Sequence, residues 1–412
     1  MRTTPPPAAR THVLILGSTG SIGRQALEVA AVLPDIQIVG LSAGRDTDLL
    51  LSQAVAIGVR DVCLADAARA VELSAQHPSL AVRSGEAGLC DLVASAADVA
   101  REAGASLTVL NGIVGAAGLH ATIAALEAGA TLALANKESM VAGGPFVSEA
   151  AKRTGALILP VDSEHSALFQ CLGGETRGAA VEELLLTGSG GPFRGRKAAD
   201  LMDVTPAQAL AHPTWAMGPK ISVDSATLMN KGLEIIEAHR LFSVPYERIT
   251  VLLNPESIVH SMVRFADGAI LGHLGVPDMR TPIGFALAYP QRPVLPMVRR
   301  LDVFAKPVSF EPPDTETFPC LMLAREAGKQ AARVEAAAAD VRTAASPIVL
   351  NAANEVAVEK FLAGAIPFPC IPEIVERCLT WLGDEPVASL DDVYACDAEA
   401  RRFAAQAVAG RC

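Results

Sequence analysis

The chain has 412 residues, of which half are hydrophobic and 19% are charged, so it is long and apolar enough for two or three globular domains. Its formal net charge of −11 at pH 7 argues against nucleic acid or an anionic membrane surface as the main partner. An anionic substrate would therefore need a local cluster of hydrogen-bond donors. No apolar run is long enough to span a bilayer, so we expect no membrane partner.

The cysteines and the N-terminus indicate the compartment. Eight cysteines are spread through the chain without a CxxC or zinc-like grouping, which is typical of thiols in a reducing environment. The N-terminal sequence MRTTPPPAAR has no apolar segment of the kind that a signal peptide requires. We therefore expect a cytoplasmic protein whose residues 1–10 form a disordered tail.

The first predicted strand, residues 12–16, leads into a glycine-rich turn and an amphipathic helix. The glycines are Gly17, Gly20 and Gly23, a GxxGxxG variant of the dinucleotide-binding fingerprint. Such glycines let the backbone approach a pyrophosphate, which the helix N-terminus faces. An ordinary glycine turn is the alternative interpretation.

The second predicted strand, residues 36–42, ends where the adenosine ribose of a dinucleotide would lie. Arg45 suits a 2′-phosphate and favours NADP, whereas the carboxylate of Asp46 would suit a free 2′-hydroxyl better. Alternatively, Asp46 is only the N-cap of a helix that starts at Thr47.

A later strand, residues 131–135, runs into Asn136, Lys137, Glu138 and Ser139. Polar residues at the carboxyl end of a parallel strand lie where such sheets bind ligands. Lys137 would contact substrate and Glu138 the nicotinamide ribose. A solvated loop is the alternative.

The next strand, residues 156–160, precedes Asp162 and Glu164. If the strand persists to Glu164, the two carboxylates point to the same side, and Glu234 supplies a third oxygen ligand. Ligation by oxygen alone suits Mg²⁺ or Mn²⁺. The alternative is a helix N-terminus whose acids only complement the dipole.

Two further segments suggest oxyanion binding and closure. Residues 184–193 contain three glycines that leave Ser189 and backbone N–H groups accessible to an oxyanion. Residues 212–218 resemble a flexible flap, on which Trp215 would cover a substrate or simply pack.

The segment 212–238 is dense in groups that bind anions and metals. Apolar residues recur at helical spacing from about Ser225, which places Asn230, Lys231 and Glu234 on one helix face. Asp224 or Ser225 is the predicted N-cap. The pattern indicates a phosphate beside a carboxylate-bound metal, although a surface helix with solvated side chains would look similar.

These elements predict an α/β protein with a Rossmann-type NADP-binding domain at residues 11–160 and a central α+β catalytic domain at 161–289. A proline-rich linker at 290–317 and a C-terminal α-helical domain at 318–412 follow. We read no chemistry in the last of these.

The chain resembles 1-deoxy-D-xylulose 5-phosphate reductoisomerases over almost its whole length. The resemblance rests on these motifs: GSTGSIG at 17–23, LANKE at 134–138, VDSEHSA at 161–167, TGSGGPF at 187–193, HPTWAMGPKISVDSATLMNKGLEIIEA at 212–238 and LNAANEVAV at 350–358. It implies a homodimer that rearranges a sugar phosphate and reduces the product with NADPH, using Mg²⁺ or Mn²⁺, with Co²⁺ as a further candidate.

The resemblance also implies roles for individual residues. The expected metal ligands are Asp162, Glu164 and Glu234. The expected phosphate donors are Ser189, Ser225, Asn230 and Lys231. The residues expected to contact the substrate body or to act in catalysis are Lys137, Ser163, Glu164, His212, Trp215 and Glu234. The expected NADPH contacts are Thr19, Gly20, Ser21, Ile22, Gly44, Arg45, Asp46, Asn136, Glu138 and Gly218.

Three positions depart from the family pattern. Asp46 stands where asparagine is usual, and Asn254 and Glu256 lie in an NPES sequence where HPQS is usual. We expect these changes to tune kinetics and cofactor preference.

Two other functions fit part of the pattern: an NADP-dependent reductase of another sugar phosphate or semialdehyde, and a non-enzymatic NADP-binding protein.

Overall fold

The computed structural model describes residues 10–173, 180–305, 307–337 and 342–409. Apart from Arg10, the predicted N-terminal tail lies outside these residues. The chain divides into two compact units. The first contains the described residues up to 136, together with 146–163 and 278–299, and the second contains 137–145, 164–277 and the described residues from 300 onward. No helix among the described residues has the length and apolar character needed to cross a membrane.

The first unit contains a parallel sheet of seven strands in the order β4-β3-β2-β1-β5-β6-β7. The strands are β1 (Thr11–Leu16), β2 (Ile36–Ala43), β3 (Asp61–Leu64), β4 (Ala81–Ser84), β5 (Ser106–Asn111), β6 (Thr131–Leu134) and β7 (Ile158–Pro160). The helices up to this point are α1 (Ser21–Ala30), α2 (Thr47–Ile57), α3 (Ala67–Gln76), α4 (Gly85–Glu102), α5 (Leu119–Glu127) and α6 (Lys137–Thr154), with a 3-10 helix at Ala116–Gly118. The strand order reverses between β1 and β5, as in a Rossmann-type fold, so the predicted fold of this region is confirmed.

The turn between β1 and α1 requires its glycines for two physical reasons. Gly17 has a positive φ of 80°, which favours glycine. A Cβ on Gly23 would lie 2.3 Å from the carbonyl oxygen of Gly17, so only a glycine allows the helix to start this close to the strand. The predicted tight turn is therefore present.

The second unit contains a mixed sheet of four strands in the order β11-β10-β8-β9, in which only β8 and β9 are parallel. Its strands are β8 (Val181–Gly188), β9 (Ile249–Leu253), β10 (Val259–Phe265) and β11 (Ile270–Leu274). The helices that follow α6 are α7 (Ser163–Cys171), α8 (Pro206–Leu210), α9 (Pro219–Ala226), α10 (Met229–Phe242) and α11 (Arg280–Ala288), of which α11 belongs to the first unit. Two 3-10 helices lie at Ala198–Leu201 and Tyr246–Arg248.

The C-terminal region is mainly helical, as predicted. It contains α12 (Cys320–Ala337), α13 (Ser346–Leu362), α14 (Cys370–Leu382) and α15 (Leu390–Ala409), with a small sheet of β12 (Thr343–Ala344) and β13 (Pro386–Val387). Helix α13 packs against both α9 and α12, and α12 packs against α10. The three predicted domain boundaries, at 160, 289 and 317, stay predictions.

Two local predictions were wrong. The strand before Asp162 ends at Pro160 and α7 begins at Ser163, so strand alternation does not orient Asp162 and Glu164. The helix expected from Ser225 is interrupted after α9, because Leu228 adopts a left-handed φ of 60° and α10 starts only at Met229.

Candidate active site

Five polar residues of the second unit form a buried cluster around Glu234. Lys137 Nζ donates to Glu234 Oε1 and to Asn230 Oδ1, each at 3.0 Å. Lys231 Nζ donates to Glu164 Oε1 at 2.7 Å and also contacts Glu234 Oε2. Asn230 donates to Glu234 as well. Because Glu234 is fully buried and Lys231 is 4% exposed, the alternative of a solvated surface helix is excluded.

The cluster combines two lysines with two acidic residues. Burial alone would lower the pKa of Lys231, but Glu164 and Glu234 outweigh this and raise it above its usual value. Lys231 is therefore protonated, and the two lysines Lys137 and Lys231 face the carboxyl groups of Glu164 and Glu234 in a largely buried cluster. Such an arrangement costs desolvation free energy and seldom adds net stability, so it suggests a role in function.

The loop that follows β8 passes close to Lys231 and requires glycines there. A Cβ on Gly188, the last residue of β8, would lie 2.7 Å from Lys231 Cε, and Lys231 Nζ contacts the carbonyl oxygen of Thr187. Gly191 has a φ of 71°, and a Cβ there would lie 2.5 Å from the carbonyl oxygen of Ser225. The glycines thus bring the loop after β8 against both α9 and Lys231.

The acidic residues of the cluster have the chemistry of a site for a hard cation. The nearest carboxylate oxygens of Glu164 and Glu234 lie within 4.8 Å of each other. Divalent cations such as Mg²⁺ favour carboxylate oxygens. Asp162 lies in the first unit, directly after β7, where its Oδ1 accepts a hydrogen bond from the N–H of Ser163 at 3.0 Å. The donor set of Glu164 and Glu234 therefore fits a divalent cation.

Ser189 and His212 form a second polar group at the loop after β8. His212 Nδ1 accepts hydrogen bonds from the backbone N–H groups of Thr214 (3.2 Å) and Trp215 (3.0 Å). The proton of the neutral ring is therefore on Nε2, which donates to Ser189 Oγ at 2.8 Å. Burial lowers the pKa of His212, which favours this neutral form. Because Ser189 Oγ also accepts from Gly191 N, the serine can donate its own proton to an oxyanion.

The predicted flap contacts β10 and the connection that precedes it. Trp215 packs edge-on against His260, with ring centroids 6.2 Å apart, and Thr214 Oγ1 lies 3.0 Å from Ser257 Oγ. The tryptophan is only partly buried. These contacts place Trp215 next to β10, where its ring can cover a ligand at the loop after β8.

The predicted cofactor residues lie in different parts of the fold. Thr19 and Gly20 end the turn before α1, and Ser21 and Ile22 are the first residues of this helix, whose N-terminus can offer backbone N–H groups to a pyrophosphate. Asp46 is the N-cap of α2 and accepts from Leu49 N at 3.1 Å, as its alternative interpretation predicted. The side chain of Arg45 is 84% exposed at the end of β2. Gly44 lies beside it, and Gly218 is the N-cap of α9 in the second unit.

The segment after β6 is buried, so its alternative as a solvated loop is excluded. Asn136 Nδ2 donates to the carbonyl oxygens of Ile113 (2.7 Å) and Gly115 (2.8 Å). Glu138 is 7% exposed, and its Oε1 accepts from Lys220 Nζ at 2.8 Å. Burial alone would raise the pKa of Glu138, but Lys220 outweighs this and holds the pKa below its usual value.

The sequence did not reveal two sets of buried polar contacts. His165, next to Glu164, lies 3.2 Å from Glu237 through Nδ1 and 2.9 Å from the carbonyl oxygen of Glu234 through Nε2. Asn354 Nδ2 on α13 donates to Asp224 Oδ1 at 2.7 Å. His165 lies inside the VDSEHSA motif and Asn354 inside the LNAANEVAV motif, and this position in a family motif was the sequence signal that pointed to both residues.

Asn254 has a structural role that explains part of the departure from the family pattern. Its Oδ1 accepts from Ile258 N and Val259 N at 2.9 and 3.0 Å. Its Nδ2 donates to Glu256 Oε2 at 2.7 Å and to the carbonyl oxygen of Ser309 at 2.9 Å. A single imidazole cannot make all four hydrogen bonds. The pair Asn254 and Glu256 thus fixes the backbone beside β9 and β10.

Known proteins resemble this chain along nearly all its length. Family profiles for 1-deoxy-D-xylulose 5-phosphate reductoisomerase match residues 13–144 and, for its C-terminal domain, residues 158–242. A third profile, described as the DXP reductoisomerase C-terminal domain, matches residues 274–403. Together the three profiles cover both units.

Two curated relatives carry the name of the family that these profiles describe. The 1-deoxy-D-xylulose 5-phosphate reductoisomerase of Xanthomonas campestris pv. campestris (strain 8004) is 48% identical over 404 residues, which is 97% of each chain. The enzyme of Bordetella avium (strain 197N) is 45% identical over 413 residues, covering 95% of this chain and 97% of the relative.

Solved structures of enzymes with this name are also similar to the chain. A DOX-P reductoisomerase in complex with NADPH, fosmidomycin and magnesium superposes with a TM-score of 0.87 at 36% identity, covering 97% of this chain and 98% of that one. The enzyme from Zymomonas mobilis in complex with NADPH gives 0.83 at 40% identity, covering 97% and 99%. The chain belongs to the 1-deoxy-D-xylulose 5-phosphate reductoisomerase family.

Proposed function

We propose that this protein converts 1-deoxy-D-xylulose 5-phosphate to 2-C-methyl-D-erythritol 4-phosphate, using NADPH and a divalent cation, in non-mevalonate isoprenoid synthesis. The observation that carries the proposal is the buried cluster of Lys137, Glu164, Lys231 and Glu234 in a member of this family. It combines a hard-cation donor set with ammonium groups suited to a phosphate. A reductase that acts on a ready-made carbonyl has no need of the carboxylate pair.

The metal ligands we propose are Asp162, Glu164 and Glu234. When bound, the cation supplies Lewis-acid polarisation of the substrate carbonyl, and NADPH supplies the hydride. Lys137 and Lys231 hold the carboxylates of Glu164 and Glu234 in place and limit the negative charge of the site. Mg²⁺ is the first choice, with Mn²⁺ and Co²⁺ as alternatives.

The phosphate donors we propose are Ser189, Ser225, Asn230 and Lys231. Ser189 donates its hydroxyl proton while His212 and Gly191 donate to its oxygen, so the hydroxyl is oriented before substrate arrives. The phosphate is remote from the reacting bonds, and its binding free energy can drive orientation and flap closure. Lys137, Ser163 and His212 contact the rest of the substrate, and Trp215 excludes water from above.

The NADPH contacts we propose are Thr19, Gly20, Ser21, Ile22, Gly44, Arg45, Asp46, Asn136, Glu138 and Gly218. Support comes from the glycine turn at the N-terminus of α1 and from the exposed guanidinium of Arg45. A 2′-phosphate would pair with Arg45. Because Asp46 caps α2, its carboxylate is partly occupied by a backbone N–H group.

We further propose a homodimer in the cytoplasm. The edge strand β11 exposes Ile270, Leu271 and Leu274, and an exposed apolar edge of this kind suits a second copy of the chain. The seven cysteines in the described part of the chain are free thiols, as expected in a reducing compartment.

The test of the reaction is nicotinamide oxidation by the purified protein with 1-deoxy-D-xylulose 5-phosphate and Mg²⁺. We expect substrate-dependent NADPH oxidation that EDTA abolishes and added Mg²⁺ restores. NADH should be a much poorer donor, because it lacks the 2′-phosphate. Folded, metal-supplied protein that oxidises neither cofactor would overturn the proposal.

A further inference from the structure

Glu138, Lys220, Asp224 and Asn354 form a continuous set of contacts through the second unit, which we name the Glu138 network. Lys220 Nζ lies 2.8 Å from Glu138 Oε1 and 3.0 Å from Asp224 Oδ2. Asn354 Nδ2 donates to the other oxygen of Asp224, Oδ1, at 2.7 Å. The network therefore connects α13 of the C-terminal region to the N-terminus of α6 through α9.

The network is buried and its charges depend on one another. Asp224 is 1% exposed and Asn354 is fully buried. Two carboxylates share the single ammonium group of Lys220, so a second donor on Asp224 is needed to hold Lys220 between them. Burial raises the pKa of Asp224 above its usual value, while Lys220 and Asn354 favour its ionised form. Without Asn354, Lys220 would move toward Asp224 and away from Glu138.

We infer that Asn354 and Asp224 are positioning residues for the cofactor site: they hold Lys220 against Glu138 and thereby set the affinity for NADPH. The inference rests on the proposed contact between Glu138 and the cofactor. It gives the C-terminal helical region a role in cofactor binding that the sequence did not indicate. Asn354 lies 130 residues from Asp224 in the chain, so a motif search in either segment does not connect them.

The competing explanation is that Asn354 only stabilises the fold. Asn351 provides the matched control, because it is also a fully buried asparagine on α13, one turn earlier. Its Nδ2 donates to Glu355 Oε1 at 3.0 Å, within the same helix. Glu355 contributes to the raised pKa of Lys220, but N351A keeps the charge of Glu355, whose Oε2 still accepts from Arg401 at 2.6 Å. A purely structural loss should therefore be similar in the two alanine variants.

The experiment measures the dissociation constant of NADPH, by nicotinamide fluorescence, for the full-length wild type, N354A, N354D and N351A, together with the thermal midpoint of each. We expect N354A to raise the dissociation constant roughly threefold to thirtyfold, the usual range for coupling through a contact network. N354D keeps the side-chain size but replaces the donor by a second carboxylate beside Asp224, and should raise the dissociation constant at least as much. N351A should stay within about twofold of wild type.

A double-mutant cycle with E138Q tests whether the effect passes through Glu138. We expect N354A to weaken NADPH binding in the wild-type background but to add little in E138Q. Equal effects in both backgrounds, or Asn354 variants that bind NADPH like N351A, would overturn the positioning role. A wild-type protein that does not bind NADPH would instead overturn the proposed function.

Discussion

Glu234 is the residue at which the proposed substrate and metal functions meet. Its carboxylate is fully buried and contacts Lys137, Asn230 and Lys231, so no part of its charge is solvated by bulk water. A buried carboxylate in such a group is costly unless every partner is present. Lys231 also depends on Glu234, which helps to raise the pKa of this lysine above its usual value.

We predict that Glu234→Gln lowers kcat by about 100-fold or more at saturating Mg²⁺ and substrate, because a metal-ligand position loses its charge. The measurement is steady-state NADPH oxidation, with Mg²⁺ affinity determined separately by calorimetry. Near-normal turnover would contradict the assignment of Glu234 as a metal ligand.

The control for this variant is Glu335→Gln. Glu335, on α12, pairs through two contacts of 2.6 Å with Arg240, which lies on α10 like Glu234. This substitution also removes one carboxylate from a largely buried pair, so it should lower stability while leaving kcat within about twofold.

At the scale of elements, the loop after β8 is shaped by glycines that serve different purposes. Gly191 and Gly195 both have left-handed φ values, 71° and 82°. A Cβ on Gly191 would meet the backbone of Ser225, whereas a Cβ on Gly195 would meet nothing within 4 Å. A side chain at Gly195 would therefore cause backbone strain alone, whereas a side chain at Gly191 would cause the same strain and also disturb the close approach between this loop and α9.

We predict that Gly195→Ala costs about 1 kcal/mol of stability, from left-handed strain alone, and leaves substrate KM nearly unchanged. Gly191→Ala should cost more and raise KM at least tenfold, because the loop must move away from Ser225 and carry Ser189 with it. Urea unfolding and steady-state kinetics of both variants test this. Equal KM values for the two variants would show that the close approach does not position the phosphate donors.

At the scale of the whole molecule, the sequence predicted what depends on local pattern. Glycine spacing identified the turn at Gly17, and the apolar strands identified the parallel sheet. The break between α9 and α10 was missed because Leu228, an apolar residue, adopts a left-handed conformation that residue type does not signal. Asn354 as a partner of Asp224 and Ser309 as a partner of Asn254 were missed because they lie on segments far away in the chain, which only the folded structure brings together.

The proposed function requires that the carbon skeleton of the substrate is rearranged before it is reduced. The most direct test is proton NMR of the product formed from 1-deoxy-D-xylulose 5-phosphate, NADPH and Mg²⁺. Rearrangement leaves the methyl group of the product on a carbon without hydrogen, so we expect a methyl singlet. A methyl doublet would mean that the ketone was reduced in place, and it would show that the protein is a simple reductase.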